Sequence, residues 1–74
     1  MSKLRPIPAR EVIRKLRVLG YDGPFPGGKH PVMRHSRTGQ KITVPTHGGR
    51  DLPLGTLRAI LRAAAVDVET WERL

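Results

Sequence analysis

The sequence predicts an α+β domain in which two amphipathic helices pack on one face of a small antiparallel sheet. Apolar residues recur at helical spacing near both ends of the chain, and alternating segments bounded by turn residues lie between them. Each element buries one face, so the simplest packing sets both helices on the same side of the sheet and leaves its other side open. With 74 residues the chain is long enough for one compact core. We therefore expect residues 1–74 to form a single domain.

The first helix is predicted from Pro8 to Leu19. Proline suits the first turn of a helix, and Gly20 is a typical C-terminal stop. The apolar stripe consists of Val12, Ile13, Leu16 and Leu19.

Two or three short strands are predicted after this helix. The segment YDGPFPGG has three glycines and two prolines in eight residues, so it can hold at most a short edge strand before a loop. HPVMRHSR and QKITVPTH then form a hairpin around a turn at Arg37 to Gln40. Pro31 and Pro45 cannot donate ladder hydrogen bonds, so we expect both at strand ends or on a sheet edge.

Two further helices complete the predicted order. The second runs from about Pro53 to Ala64, with Arg58 and Arg62 on its polar side, either solvated or in contact with a partner. A short last helix, Val68 to Leu74, has Asp67 as its N-cap. The apolar face of the second helix contains Leu54, Leu57, Ile60, Leu61 and Ala64.

The charge balance indicates a polyanionic partner. There are 14 Lys and Arg against 6 Asp and Glu, a net charge of +8. Residues 1–50 hold 11 basic and 2 acidic side chains, whereas residues 51–74 hold 3 and 4. Nucleic acid is the first interpretation; an anionic protein partner and a merely solubilising surface are the alternatives. With one Phe, one Tyr and one Trp, no aromatic platform for stacking bases is evident, so phosphate and sugar contacts should dominate.

Composition also bears on location. The chain has no cysteine, which fits a reducing compartment, and neither a signal peptide nor an apolar stretch of roughly 20 residues is evident. We expect a cytoplasmic protein that does not contact a membrane.

Several kinds of site are disfavoured by the residues present. GPFPGGKH lacks the G-K-[ST] of a phosphate loop, so no nucleotide cofactor is expected. A zinc site built from His30, His35 and His47 would have only Asp51 as a nearby carboxylate and no cysteine. Serine-nucleophile and paired-carboxylate chemistry have no supporting motif either. We expect no cofactor and no metal.

A histidine among cations is sufficient for one reaction, the cleavage of RNA. RNA carries its own nucleophile, the 2′-hydroxyl, so cleavage requires proton transfer near neutral pH and positive charge for the transition state. His30 could remove or return the proton while Lys29, Arg34 and Lys41 neutralise phosphate charge. The alternative is a strand histidine bonded to a backbone carbonyl. The backbone could approach RNA closely at two glycines, Gly27 and Gly28.

The chain resembles the HicA family of toxin mRNA interferases. The resemblance covers roughly Ala9 to Val66: a short helix ending in L-G-Y, the Gly-x-His element Gly28-Lys29-His30, M-R-H followed by K-I-T-V-P, and D-L-P-L-G-T-L-R-A-I-L-R-A-A. The family implies a double-stranded-RNA-binding-domain-like α-β-β-β-α fold and metal-independent cleavage of mRNA by the histidine of that element. It also implies neutralisation by a HicB antitoxin.

We therefore predict His30 as the catalytic residue. The predicted RNA contacts are Gly28, Lys29, Arg34, His35 and Lys41. The competing interpretation of His35 is that it is an ordinary surface residue of a strand. The competing interpretation of His47 is that it is an ordinary loop histidine.

The chain departs from the family pattern at three places. Lys29 replaces a frequent serine, Phe25 or a neighbour replaces a basic residue, and Pro53 replaces a frequent lysine. A non-catalytic RNA-binding module of the same fold is the alternative function, and a protein-interaction domain is a third.

Overall fold

A three-stranded antiparallel sheet follows one helix and precedes two. The computed structural model describes residues 3–26, 28–46 and 48–74. Its elements are α1 (Ala9–Val18), β1 (Tyr21–Phe25), β2 (Val32–His35), β3 (Lys41–Thr43), α2 (Leu54–Ala63) and α3 (Val68–Glu72). The predicted α+β class and the α-β-β-β-α order with a short C-terminal helix are confirmed.

The sheet has the order β1-β2-β3, so β1 is an edge strand as predicted. Residues facing each other across β2 and β3 include the pair Met33 and Ile42 and the pair Arg34 and Lys41. Side chains of a strand alternate between the two faces, so the first pair points into the core and the second away from it. The pairing of β1 with β2 is irregular between Asp22 and Phe25.

Both long helices pack on the core side of the sheet. Val12 and Leu16 of α1 and Leu57 of α2 are fully buried in the same cluster as the inward-facing sheet residues. This single cluster confirms the predicted packing on one face. The buried apolar residues are Leu4, Val12, Leu16, Tyr21, Met33, Ile42, Val44, Leu52, Leu57, Ile60, Leu61 and Trp71.

The helix ends lie close to the predicted positions. Pro8 is the N-cap of α1 rather than its first residue, and Leu19 is the C-cap, followed by Gly20 at a φ of +100°. Asp67 caps α3 as predicted, because its carboxylate accepts a 2.7 Å hydrogen bond from the Thr70 amide. That bond lowers the pKa of Asp67 below its ordinary value of 3.8. The structure ends α3 at Glu72, two residues earlier than the sequence pattern indicated.

A buried lysine joins α1 to α3. The Lys15 ammonium donates a 2.8 Å hydrogen bond to the carbonyl of Trp71 and lies 5.4 Å from the centre of the indole ring. Burial lowers the pKa of Lys15, partly opposed by the nearby Glu72 carboxylate. The indole itself is fully buried, so α3 belongs to the same core as the sheet. No helix in the described residues is long and apolar enough to cross a membrane.

Candidate RNA interface and active site

His30 lies in the loop between β1 and β2, two residues before β2 begins. It is half-buried, and its Nδ1 accepts a long hydrogen bond of 3.4 Å from the backbone N–H of Thr46. Among the described residues none hydrogen-bonds its Nε2. The residue borders a cleft of about 330 Å³ that is lined by Pro24, Phe25, Pro26, Gly28, Lys29, His30 and Pro31.

The Thr46 contact engages Nδ1 of His30, so Nε2 is the ring nitrogen available to a ligand. An N–H that points at Nδ1 favours the ring that is unprotonated there and carries its proton at Nε2. In this state Nε2 can donate a hydrogen bond to a ligand. Proton transfer at Nε2 instead needs a proton on Nδ1, so the contact with Thr46 must then open. A bond of 3.4 Å is beyond the usual N–H···O range, so opening it costs little.

The Gly-x-His element places a cation beside the histidine. Lys29 is exposed and borders the same cleft as His30. Gly28 has a φ of +79° and no atom within 4 Å of the position that a Cβ would occupy. Its backbone is therefore open to an approaching ligand. Gly27 lies outside the described residues.

Arg34 and Lys41 lie side by side on the open face of the sheet. They are direct partners across β2 and β3, both are exposed, and Asp22 faces Arg34 from the edge strand. A second cleft of about 330 Å³ is lined by Phe25, Pro26, Val32, Arg34 and Lys41. It shares Phe25 and Pro26 with the cleft at His30, so the two clefts adjoin at these residues.

In the part of the chain that the structure describes, three of the six acidic side chains form ion pairs, all away from the sheet. The ion pairs within the described residues join Arg5 to Glu72, Arg14 to Glu11 and Arg73 to Glu69, all outside the sheet. None involves Lys29, Arg34 or Lys41. These three cations are therefore available to an external anion, with Asp22 as the only carboxylate on that face of the described strands. Four of the five predicted RNA contacts, Gly28, Lys29, Arg34 and Lys41, thus line the two clefts that adjoin at Phe25 and Pro26.

No group of three His, Cys, Asp or Glu side chains close enough to hold a metal ion occurs in residues 3–26, 28–46 and 48–74. His47, one of the three histidines considered as zinc ligands, lies outside these residues.

A family model described as the HicA toxin of bacterial toxin-antitoxin systems matches residues 9–66. The chain belongs to the HicA toxin family. It therefore carries the toxin domain of a toxin-antitoxin system, and the family implies an antitoxin protein as a partner of this HicA toxin. A search of curated proteins found no match.

His35 of this HicA toxin is tied into the fold. Its Nδ1 accepts hydrogen bonds from the backbone N–H groups of Arg37 and Thr38, at 3.1 and 3.2 Å, and its ring meets Tyr21 edge-on with 4.9 Å between ring centres. A Cβ at Gly20 would lie 3.1 Å from Nε2 of His35, so the ring fills the space left by the glycine. An RNA contact by His35 stays a prediction; its Nδ1 accepts from the two turn amides, and its Nε2 lies against Gly20.

Two residues shape the HicA surface in ways that the sequence patterns did not indicate. Phe25 is 47% exposed and borders both clefts described above, although its Gly- and Pro-rich segment was expected to form only a short edge strand. Arg17 of α1 donates two hydrogen bonds, of 3.0 and 2.7 Å, to the carbonyl of Gly23 within β1. Its contact with β1 spans six residues along the chain, at a spacing that no helical pattern reveals.

Proposed function

We propose that this HicA toxin is a metal-independent endoribonuclease that cleaves mRNA with His30 as its catalytic residue. The observation that supports this most is the position of His30. A half-buried imidazole with a free Nε2 lies in an open cleft beside Lys29, and that cleft continues onto a sheet face bearing Arg34 and Lys41. Proton transfer and anion stabilisation would thus act at one place.

The reaction is the attack of a ribose 2′-hydroxyl on the adjacent phosphorus, which forms a 2′,3′-cyclic phosphate and breaks the bond to the 5′-oxygen. One proton leaves the 2′-hydroxyl and one proton must reach the departing 5′-oxygen. His30 supplies or removes a proton at Nε2 once its Nδ1 is protonated and the contact with Thr46 has opened. Lys29 and the pair Arg34 and Lys41 offset the negative charge that develops on the phosphate.

Cleavage assays on His30→Ala test this proposal. General acid-base catalysis typically contributes about 10²–10⁴ in rate, so we expect a loss of that size. Wild type, His30→Ala and Lys29→Ala are compared in EDTA on a single-stranded RNA, with intact strand and product ends both followed. Lys3→Ala is the matched control for Lys29→Ala, because Lys3 is an exposed lysine that borders neither cleft. Cleavage that requires a divalent metal, or that persists in His30→Ala, would refute the proposal.

A HicB-like antitoxin is the proposed partner that keeps the toxin inactive. The family implies an antitoxin, and the unpaired cations beside His30 offer an acidic protein a complementary surface. Adding the antitoxin to the cleavage assay should stop the reaction at a one-to-one ratio of binding sites. If the inhibited complex still binds RNA at the His30 cleft, the antitoxin does not act by covering that cleft.

A non-catalytic RNA-binding module is the second candidate. It is favoured by the exposed pair Arg34 and Lys41 on the open face of the sheet, which can bind phosphate without any proton transfer. Such a protein would bind RNA with a steep salt dependence and leave the strand intact in the same assay.

A further inference from the structure

Phe25 is exposed at the meeting point of three clefts. Besides the two clefts already described, it borders a third of about 400 Å³ that extends over Asp22 and Arg34 to the turn after β2. The other two aromatic residues, Tyr21 and Trp71, are buried in the core. An exposed aromatic ring that borders the same clefts as several cations offers a ligand a flat apolar face next to positive charge.

The backbone of β1 before Phe25 is held by a side chain of α1. Arg17 holds the carbonyl of Gly23 with two hydrogen bonds. Gly23 itself has a φ of +126°, and a Cβ there would lie 2.9 Å from the carbonyl oxygen of Val32. Phe25 is then the cross-strand partner of Val32, after the irregularity in β1. The ring is therefore presented at a fixed point on the open face.

Phosphate-binding groups flank the ring on two sides. Lys29 and His30 share one cleft with Phe25, and Arg34 and Lys41 share the other. None of these cations is ion-paired within the described residues. A nucleic acid strand supplies a flat base for the ring and a phosphate on either side of it, whereas an apolar protein segment would leave the cations without partners.

We propose that Phe25 stacks on an unpaired base of the RNA substrate, next to the phosphate that binds at His30. The inference rests on the proposed function for the identity of the ligand, and it adds a base-binding subsite. Stacking needs a free base face, which a duplex does not offer. The subsite therefore selects single-stranded RNA over double-stranded RNA.

Binding measurements with an RNA that cannot be cleaved separate this subsite from catalysis. The probe is a short single-stranded oligonucleotide with 2′-O-methyl riboses, which has no free 2′-hydroxyl. Stacking on an aromatic ring contributes about 1–3 kcal/mol per base, so Phe25→Ala should weaken binding roughly 5- to 150-fold. Phe25→Tyr and Phe25→Trp should bind nearly as wild type, and Phe25→Leu, apolar but without a π-face, should bind like the alanine variant.

Two controls identify the cause of any loss. Val18→Ala removes an exposed apolar residue that borders none of the three clefts, so its affinity should be unchanged. In a plot of log affinity against log salt concentration, Lys41→Ala should make the negative slope shallower by about 0.7, because one phosphate contact is lost. Phe25→Ala should leave that slope as in wild type.

The outcomes distinguish this inference from the proposed nuclease activity. A 5-fold or greater loss in Phe25→Ala and Phe25→Leu, with recovery in Phe25→Tyr, supports the subsite even if no variant cleaves RNA. Wild-type binding by Phe25→Ala or Phe25→Leu overturns it even if wild type cleaves RNA normally. Equal binding to a duplex probe, no binding of wild type to the probe, or an effect of Phe25→Ala on antitoxin binding alone would also overturn it.

Discussion

Replacement of His35 by alanine tests whether His35 stabilises the fold, in contrast to His30, which lies at the cleft. The variant loses the acceptor for the amides of Arg37 and Thr38 and the edge contact with Tyr21. Both amides are exposed and can bind water instead, so each bond is counted at the low end, about 0.5 kcal/mol. The aromatic pair adds about 0.5–1.5 kcal/mol.

His35→Ala should therefore lower the free energy of unfolding by roughly 1.5–2.5 kcal/mol. A domain of this size has a total of roughly 4–11 kcal/mol, so the variant still folds. For a chain of 60–100 residues, 1 kcal/mol corresponds to about 4–8 °C, and Tm should fall by roughly 6–20 °C.

Urea and thermal unfolding, followed by circular dichroism, measure this loss. His30→Ala is the matched control, because its ring has only the long 3.4 Å contact with Thr46, and its free energy of unfolding should change by less than about 0.5 kcal/mol. The reasoning is refuted if His35→Ala is as stable as wild type, or if His30→Ala is destabilised to the same extent.

Three further predictions concern the scaffold. Trp71→Ala should lower the free energy of unfolding by about 3–5 kcal/mol in urea titrations, because the indole is fully buried; a change below 1 kcal/mol would mean that α3 is not part of the core. Gly23→Ala should cost about 1–3 kcal/mol, since its φ is +126° and a Cβ would meet the carbonyl of the neighbouring strand at 2.9 Å. Gly55→Ala, in α2 with free space around it, is the control and should be neutral or stabilising. Asp67→Asn keeps the cap oxygen but removes the charge. The lowered pKa of Asp67 gives the folded protein stability that is present above pH 3.8 and is lost as the pH falls through the pKa of the folded state. The Tm of wild type should therefore fall more steeply below pH 4 than the Tm of the variant. Parallel Tm curves would contradict that assignment.

The elements of the fold were predictable because their signals are local. The stripe of Val12 and Leu16 and the alternation around Ile42 follow directly from the periods of helix and strand. The N-cap at Asp67 likewise depends on a residue only three positions away. The ends of α1 and α3 were less predictable, since the last turn of a helix depends on which groups satisfy its carbonyls.

The candidate site was predictable only in part. The Gly-x-His element identified His30 and Lys29, and the charge distribution indicated an anionic ligand. The same reasoning gave His35 a possible contact with RNA, but its Nδ1 is occupied by the turn after β2. Which nitrogen of a histidine is free depends on neighbours in space, and a sequence pattern does not contain them.

The sequence by itself determined the secondary structure, the basic character of the first fifty residues and the motif that carries His30. Periodicity, composition and short motifs are properties of the chain, so they can be read without coordinates. Only the tertiary structure decided which of these side chains contact one another and which are exposed. It paired three glutamates with arginines outside the sheet, and within the described residues it left Arg34 and Lys41 of the open face without an ion pair. It also exposed Phe25 between the cleft of Lys29 and His30 and the cleft of Arg34 and Lys41, because contacts between residues distant in the sequence decide which side chains are covered.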